Sequence, residues 1–255
     1  MANVRIIGKK GSKSRKAISD NTGIRLYTGQ KDVDIIINYG LAGKKLDDFF
    51  KKFPIARQIP MVNKYVGRSK LSDVNKAAKN GILVPESRLT LRIADNLKEW
   101  IEKKIYSSQG KGIIEARGRK RIIGKYYQRL VTNRRFELRV HAFLWVPTDE
   151  WKIHKRLGPA DQIAWNFHQG GYFQTVTSPN KHEVFRKAKD ISKKLLGIYG
   201  AAFGAVDFIV DSDLNVLFIE INSSPGFSNL SDYIYFSAMK DLSEMPKKNV
   251  IKYGV

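Results

Sequence analysis

Apolar positions follow two rhythms along the chain. Short β-branched runs ending in Gly, VRIIG at 4–8 and VDIIINYG at 33–40, flank the Lys/Ser-rich segment 9–20. That order predicts a small βαβ-like start. LDDFFKKF at 46–53 has helical character, and Pro54 and Pro60 then mark a connection, with a boundary near residue 60. In 69–81, Leu71, Val74 and Ala78 share a helical face, with Ser69 or Ser72 as N-cap and Gly81 just past the end. From Trp100 to Val146 the rhythm becomes alternation. WIEKKI, GIIEARG, RIIGKYY and FELRVHAFLWV, separated by Gly, Ser and Asn, predict an antiparallel meander. Helical period returns at 182–200, with Val184, Phe185, Ala188, Ile191, Leu195 and Ile198 in register. AFGAVDFIV and NVLFIEIN follow as two strands joined by the turn 211–214, and a last helix covers 230–242; no internal repeat is present.

Composition narrows the chemistry. The 255 residues, with 42% hydrophobic positions and 8 Pro, suit one large or two modest globular domains. The absence of Cys removes disulfides, thiolate zinc sites and cysteine nucleophiles, leaving His, Asp, Glu and Asn as metal ligands. No apolar run approaches the ~18 residues of a membrane span and the start MANVRIIGKK lacks an apolar signal core, so no membrane association and a cytoplasmic location are expected. The net charge of +22 predicts attraction to polyanions, and it is uneven. Residues 1–125 hold 29 basic and 11 acidic residues, against 17 and 13 in 126–255. Nucleic acid, phosphate-rich ligands and an acidic protein tail all fit such a field.

Two segments carry chemistry. KKIYSSQGKGI, 103–113, is a basic strand running into a loop of small residues, able to fold over phosphates while a strand lysine neutralises charge. It is not a P-loop, because no GxxxxGK[ST] opens a helix. In VDFIVDSDLNVLFIEINSSPGF, 206–227, Glu220 and Asn222 are two apart on one strand and leave the same face, and Asp207 on the neighbouring strand can join them. Two carboxylates and an amide oxygen suit Mg²⁺, with Mn²⁺ as a second ion.

The EINSSPG segment with Asp207 before it resembles the ATP-grasp superfamily of carboxylate-amine ligases, especially the ribosomal-protein glutamate ligase branch. The resemblance extends over roughly residues 64–227. It implies an α+β ATP-grasp fold, two α/β lobes clamping ATP after a small basic N-terminal α/β domain. The division would be 1–60 for that domain and 61–255 for the ATP-grasp domain, with 61–128 as first lobe and 129–255 as second. SKLSDVNKAAKNGILVP looks like the segment that places Lys70 on phosphate, and the strand and flap that follow imply Lys103, with Lys104 its competitor, and Ser107, Ser108, Gln109, Gly110 and Gly112 around the nucleotide. FELRVHAF implies Arg139 as the catalytic contact to an acyl phosphate. WNFHQGG resembles an N-x-H-x-G-G turn and implies Asn166, with Arg156 as a second basic contact. The hinge strand, where the family usually has a ribose-binding acid, reads Tyr127-Gln128-Arg129-Leu130, leaving Gln128 and Leu130 as nucleotide contacts. Metal ligands would be Asp207, Glu220 and Asn222. The implied reaction joins a carboxylate and an amine through an acyl phosphate, releasing ADP and phosphate, with an acidic peptide or protein tail as one substrate. A basic nucleic-acid-binding protein on the same scaffold is the alternative, and a nucleotide-dependent regulator is a third reading.

Other residues read as structural. His141 is expected to be packed or paired, His154 and His182 on the surface, and Trp100, Trp145, Trp151 and Trp165 in the core. Arg117, Arg119, Lys120 and Arg121 are expected along a solvated strand edge.

Overall fold

The computed structural model describes residues 1–64, 69–106, 113–159, 162, 163, 165, 171–227 and 231–254. They form a mixed α/β structure of three sheets and six α-helices.

The first sheet is parallel, in order β1 (Val4–Gly8), β2 (Ile35–Tyr39), β3 (Met61–Val62). Its strands are apolar on both faces because both are covered. Val4, Ile6, Ile35, Ile37 and Tyr39 pack with Ile18 of α1 (Lys13–Thr22) and with Tyr235, Met239 and Leu242 of α5 (Asp232–Glu244). Ile7, Ile36 and Met61 pack on the other side with Leu46 and Phe50 of α2 (Lys44–Lys52). Asn63, at φ 58°, donates from Nδ2 to the Phe203 carbonyl at 2.9 Å and accepts from the Ala202 amide at 2.7 Å. This buried amide pins the end of the first sheet to the third.

The second sheet, in order β4 (Ser87–Arg88), β7 (Lys125–Arg129), β5 (Trp100–Lys104), β6 (Ile114–Glu115), is antiparallel. The third runs β10 (Tyr172–Thr175), β9 (Lys152–Leu157), β8 (Arg134–Phe143), β11 (Phe203–Asp211), β12 (Val216–Asn222), also antiparallel. Leu138, Val140, Ile153, Val206, Phe208 and Phe218 turn one face of it toward Ala188, Leu195 and Leu196 of α4 (Glu183–Tyr199). Gly200 ends α4 in the left-handed conformation at φ 62°.

The expected four-strand meander divides. Its first three members sit in the second sheet, but FELRVHAF becomes β8 and pairs with β9 and β11 in the third. The reason is apolar demand: Leu138, Val140 and Ala142 find their partner surface on the core built by α4. Helix α3 (Lys70–Lys79) is capped by Ser69, whose side chain accepts from the Ser72 amide at 3.1 Å. It buries Val74 and Ala77, while Ala78 is exposed, so the apolar face lies one position from that expected. Arg117, Arg119, Lys120 and Arg121 lie in the connection between β6 and β7 and not on a strand. There Arg119 donates to the Arg92 and Asp95 carbonyls. Among the described residues no helix is long and apolar enough to cross a membrane.

Candidate active site

Strand register builds the site. Arg139 of β8 stands opposite His154 of β9 on one side and Asp207 of β11 on the other, and Asp207 stands opposite Glu220 of β12. The row His154–Arg139–Asp207–Glu220 therefore crosses four strands on one face. Glu137, His141, Arg156 and Asn222 flank it two positions along their strands.

A bulge in β12 makes this row possible. Phe208 pairs with Phe218, but Asp207 pairs with Glu220, so Ile219 is an extra residue. In a regular strand Glu220 would share the face of Phe218, which is buried in the core with α4. The extra residue turns Glu220 and Asn222 to the polar face, beside Asp207. The turn that follows is held by the Ser224 amide, which donates to Asn222 Oδ1 at 3.0 Å, and by Tyr39, whose hydroxyl donates to the Pro225 carbonyl at 2.7 Å. Gly40, at φ 87°, lies against Ser224 so closely that a Cβ would overlap its side chain. The first sheet thus abuts the turn after Asn222.

Each carboxylate meets a cation. Arg139 donates in bidentate fashion to Asp207, Nε to Oδ1 and Nη2 to Oδ2, both at 2.7 Å. Burial works against both charges, but mutual attraction wins: Asp207 is held below the usual carboxylate range and Arg139 above its ordinary value. Lys70, at the start of α3, places Nζ 2.6 Å from Glu220 Oε2. Arg156 donates to Glu137 at 2.6 Å and lies 3.9 Å from Asp207, with its guanidinium 4.8 Å from the Phe173 ring centre.

The second sheet supplies the other cation. Lys103 is 5% exposed and donates to Gln128 Oε1 at 2.9 Å, and Gln128 in turn donates to Ser87 Oγ at 3.0 Å. Lys104, its neighbour on β5, is exposed. Burial lowers the Lys103 ammonium to about 8, with Glu220 opposing and Lys70 adding to the fall. Tyr126 stands opposite Lys103 on the same face, and Leu130 donates its amide to the Glu99 carbonyl at 2.8 Å.

Lys70, Lys103, Gln128, Arg139, Arg156, Asp207, Glu220 and Asn222 thus all have described positions. Ser107, Ser108, Gln109, Gly110, Gly112 and Asn166 lie outside the described residues. His154, expected on the surface, is 2% exposed because it belongs to the site row. Its Nδ1 lies 3.1 Å from His141 Nε2, and His141 Nδ1 lies 2.9 Å from the Tyr235 hydroxyl. Burial, then His154 and Arg139, depress His141 well below the usual histidine range, so it is neutral. The four tryptophans are buried, and His182 is exposed. Glu137 escaped the sequence reading, although its alternation with Arg139 and His141 along β8 was a signal for it.

Two carboxylate residues and one amide on paired strands are an all-oxygen set that fits a hard divalent cation. In this arrangement Lys70 and Arg139 occupy the carboxylates, so an ion would bind in exchange for these contacts. Among the described residues no group of three His, Cys, Asp or Glu converges into a metal-binding cluster.

The sequence matches no protein-family model, and no curated protein matches it. Solved structures do resemble the chain. D-alanine–D-alanine ligase from Bacillus anthracis complexed with ATP superposes with a TM-score of 0.63 at 14% identity, covering 98% of this chain and 97% of that one. ATP-grasp ligase PsnB complexed with minimal precursor, Mg and ADP gives 0.61 at 12% identity, over 93% and 96% of the two chains. Macrocyclase MdnC from Microcystis aeruginosa, bound with precursor peptide MdnA, gives 0.56 at 13% identity over 94% and 98%. The chain has the ATP-grasp fold.

Proposed function

We propose that this protein is an ATP-dependent carboxylate-amine ligase. The supporting observation is the meeting of Lys70, at the start of α3, and Lys103, on β5, with the Arg139–Asp207–Glu220 row of the third sheet. Lys70 and Lys103 would bind the phosphates of ATP, and Gln128 and Leu130, on the connecting strand, would lie along the nucleoside. The segment 107–112 would close over it, with Asn166 and Arg156 as further phosphate contacts. Asp207, Glu220 and Asn222 would hold Mg²⁺ or Mn²⁺. The ion would neutralise phosphate charge and orient the phosphate chain.

A substrate carboxylate oxygen attacks the γ-phosphorus in line. The bond from that phosphorus to the β–γ bridging oxygen breaks, giving an acyl phosphate and ADP. An amine then attacks the acyl carbon, the carbon–oxygen bond to phosphate breaks, and the amine proton passes to solvent. Arg139 would offset charge on the acyl phosphate, releasing Asp207 as it does so. Such chemistry needs positioning and charge neutralisation more than a side-chain nucleophile.

The structures bearing this fold include ligases complexed with peptide precursors. A peptide substrate also suits this chain, and its basic first half favours an acidic peptide or protein tail, as in the ribosomal-protein glutamate ligase branch. The small basic region 1–60 would then help receive that substrate ahead of the two lobes. A cytoplasmic location would suit such an ATP-dependent reaction. The test is ADP release from Mg²⁺ and ATP in a matrix of amines and carboxylates, acidic peptides included. Release that needs both an amine and a carboxylate is the expected result; ATP binding without release for any pair contradicts the ligase assignment.

A further inference from the structure

Tyr126 is a buried donor on the wall of the cleft that no part of the proposed chemistry has used. It stands opposite Lys103 in the β5–β7 pair, so its ring shares the face of Lys103 and Gln128. Its side chain is 1% exposed, and Lys103 Nζ lies 5.9 Å from its ring centre. Among the described residues no group accepts a hydrogen bond from its hydroxyl. The surrounding phenols differ. Tyr127 donates to the Lys120 carbonyl at 2.8 Å, Tyr39 to the Pro225 carbonyl, and Tyr235 meets His141. Among the described residues Tyr27 also buries an unmatched hydroxyl, but in an apolar cluster with Phe49 and Phe53.

An unmatched buried hydroxyl lowers the stability of the protein that carries it. Tyr126 has an electrostatic setting that Tyr27 lacks. Burial, and then the charges of Glu220 and Asp73, raise its pKa above that of a free phenol, so it stays protonated and can only gain by donating. Glu220, whose charge acts on Tyr126, is taken by Lys70. Beside Lys103, the acceptor that suits this position is an anionic oxygen brought by the ligand.

We infer that the Tyr126 hydroxyl donates a hydrogen bond to a phosphate oxygen of the bound nucleoside triphosphate, alongside Lys103. The inference rests on the ATP-binding reading above. It makes Tyr126 a binding residue whose hydroxyl is idle in the free protein.

The test compares wild type, Tyr126→Phe and Tyr27→Phe by calorimetric titration with ATP and Mg²⁺, by titration with adenosine, and by thermal unfolding without nucleotide. Tyr126→Phe is expected to raise the Kd for ATP about tenfold, or about 1.4 kcal/mol, with adenosine binding unchanged and a Tm no lower than wild type. Tyr27→Phe is expected to leave ATP binding as in wild type. Equal ATP affinity in wild type and Tyr126→Phe overturns the inference while leaving the ATP site standing. A loss of ATP affinity with a lowered Tm assigns Tyr126 a structural role, and an equal loss for adenosine removes the phosphate contact; either overturns it. If wild type binds no ATP, the inference and the reading beneath it both fall.

Discussion

Adjacent strand residues face opposite ways, and Lys103 and Lys104 show what that means for an anion site. Lys103 is buried against Gln128 and Lys104 is exposed, so one ammonium points into the cleft. Lys103→Ala is expected to weaken ATP binding by about tenfold to a hundredfold, the range of a charge-assisted hydrogen bond. Lys104→Ala should change it by less than about twofold; equal effects in a titration would reject this assignment. The lowered pKa of Lys103 adds a pH dependence. Below about 8 the ammonium is charged and, in the proposed site, would bind phosphate; above it the free protein loses that charge. ATP affinity should therefore fall as pH rises through about 8, and Lys103→Arg, always charged, should flatten the bend. A pH-independent Kd between 7 and 9 in wild type would contradict it. Lys103 was legible as a candidate from its place before a small-residue loop. The choice between it and Lys104 needed the sheet, because alternation fixes relative facing but not which face is inward. His154 shows the same limit: nothing in KIHKRL marks it as buried until β9 is paired with β8.

At the scale of elements, the bulge at Ile219 is the feature that sets the facing of Glu220 and Asn222, the proposed metal ligands. With Ile219 paired in a regular strand, Glu220 and Asn222 would point with Phe218 into the apolar core. Deleting Ile219 removes the extra residue and leaves Glu220 directly after Phe218 and still opposite Asp207, so both polar side chains are expected to stay on the polar face and Mg²⁺-dependent ATP binding to be retained. Loss of that binding in a folded deletion variant would show that the local bend of the bulge, and not the facing of Glu220 and Asn222 alone, builds the site. The strands of this hairpin were readable from AFGAVDFIV, NVLFIEIN and the turn between them, and their polar residues were grouped from spacing alone. The spacing argument put Asp207, Glu220 and Asn222 on one face, where the register places them, but did not show the bulge, because a bulge leaves no mark in a short run of apolar residues. Helices α3 and α4 were readable from their caps and period, whereas β9 and β10 were not, since KIHKRL and YFQT are too short and polar to stand out. The departure of β8 to another sheet was hidden for a different reason: alternation shows that a strand has two faces, not which strand it pairs with.

For the whole molecule, the question is what the charge of +22 and the ATP-grasp fold do together. Long-range attraction is screened over about 8 Å at physiological ionic strength, so a basic surface gathers acidic ligands near the cleft without choosing among them. The choice comes from chemistry in the row of Arg139, Asp207 and Glu220. An acidic peptide that presents both a carboxylate and, with an added amine, a complete substrate pair should raise ADP release. Duplex DNA should only lower it by competing for the basic surface. The most direct measurement is ADP release from ATP and Mg²⁺ with such a pair, in wild type and in Glu220→Gln, which keeps the side chain's size while removing the charge of a proposed metal ligand and of the partner of Lys70. Turnover in wild type and a loss of at least about a hundredfold in a folded Glu220→Gln variant is the predicted result. Full activity in Glu220→Gln, or tight DNA binding indifferent to that substitution with no ADP released for any pair, would contradict the account.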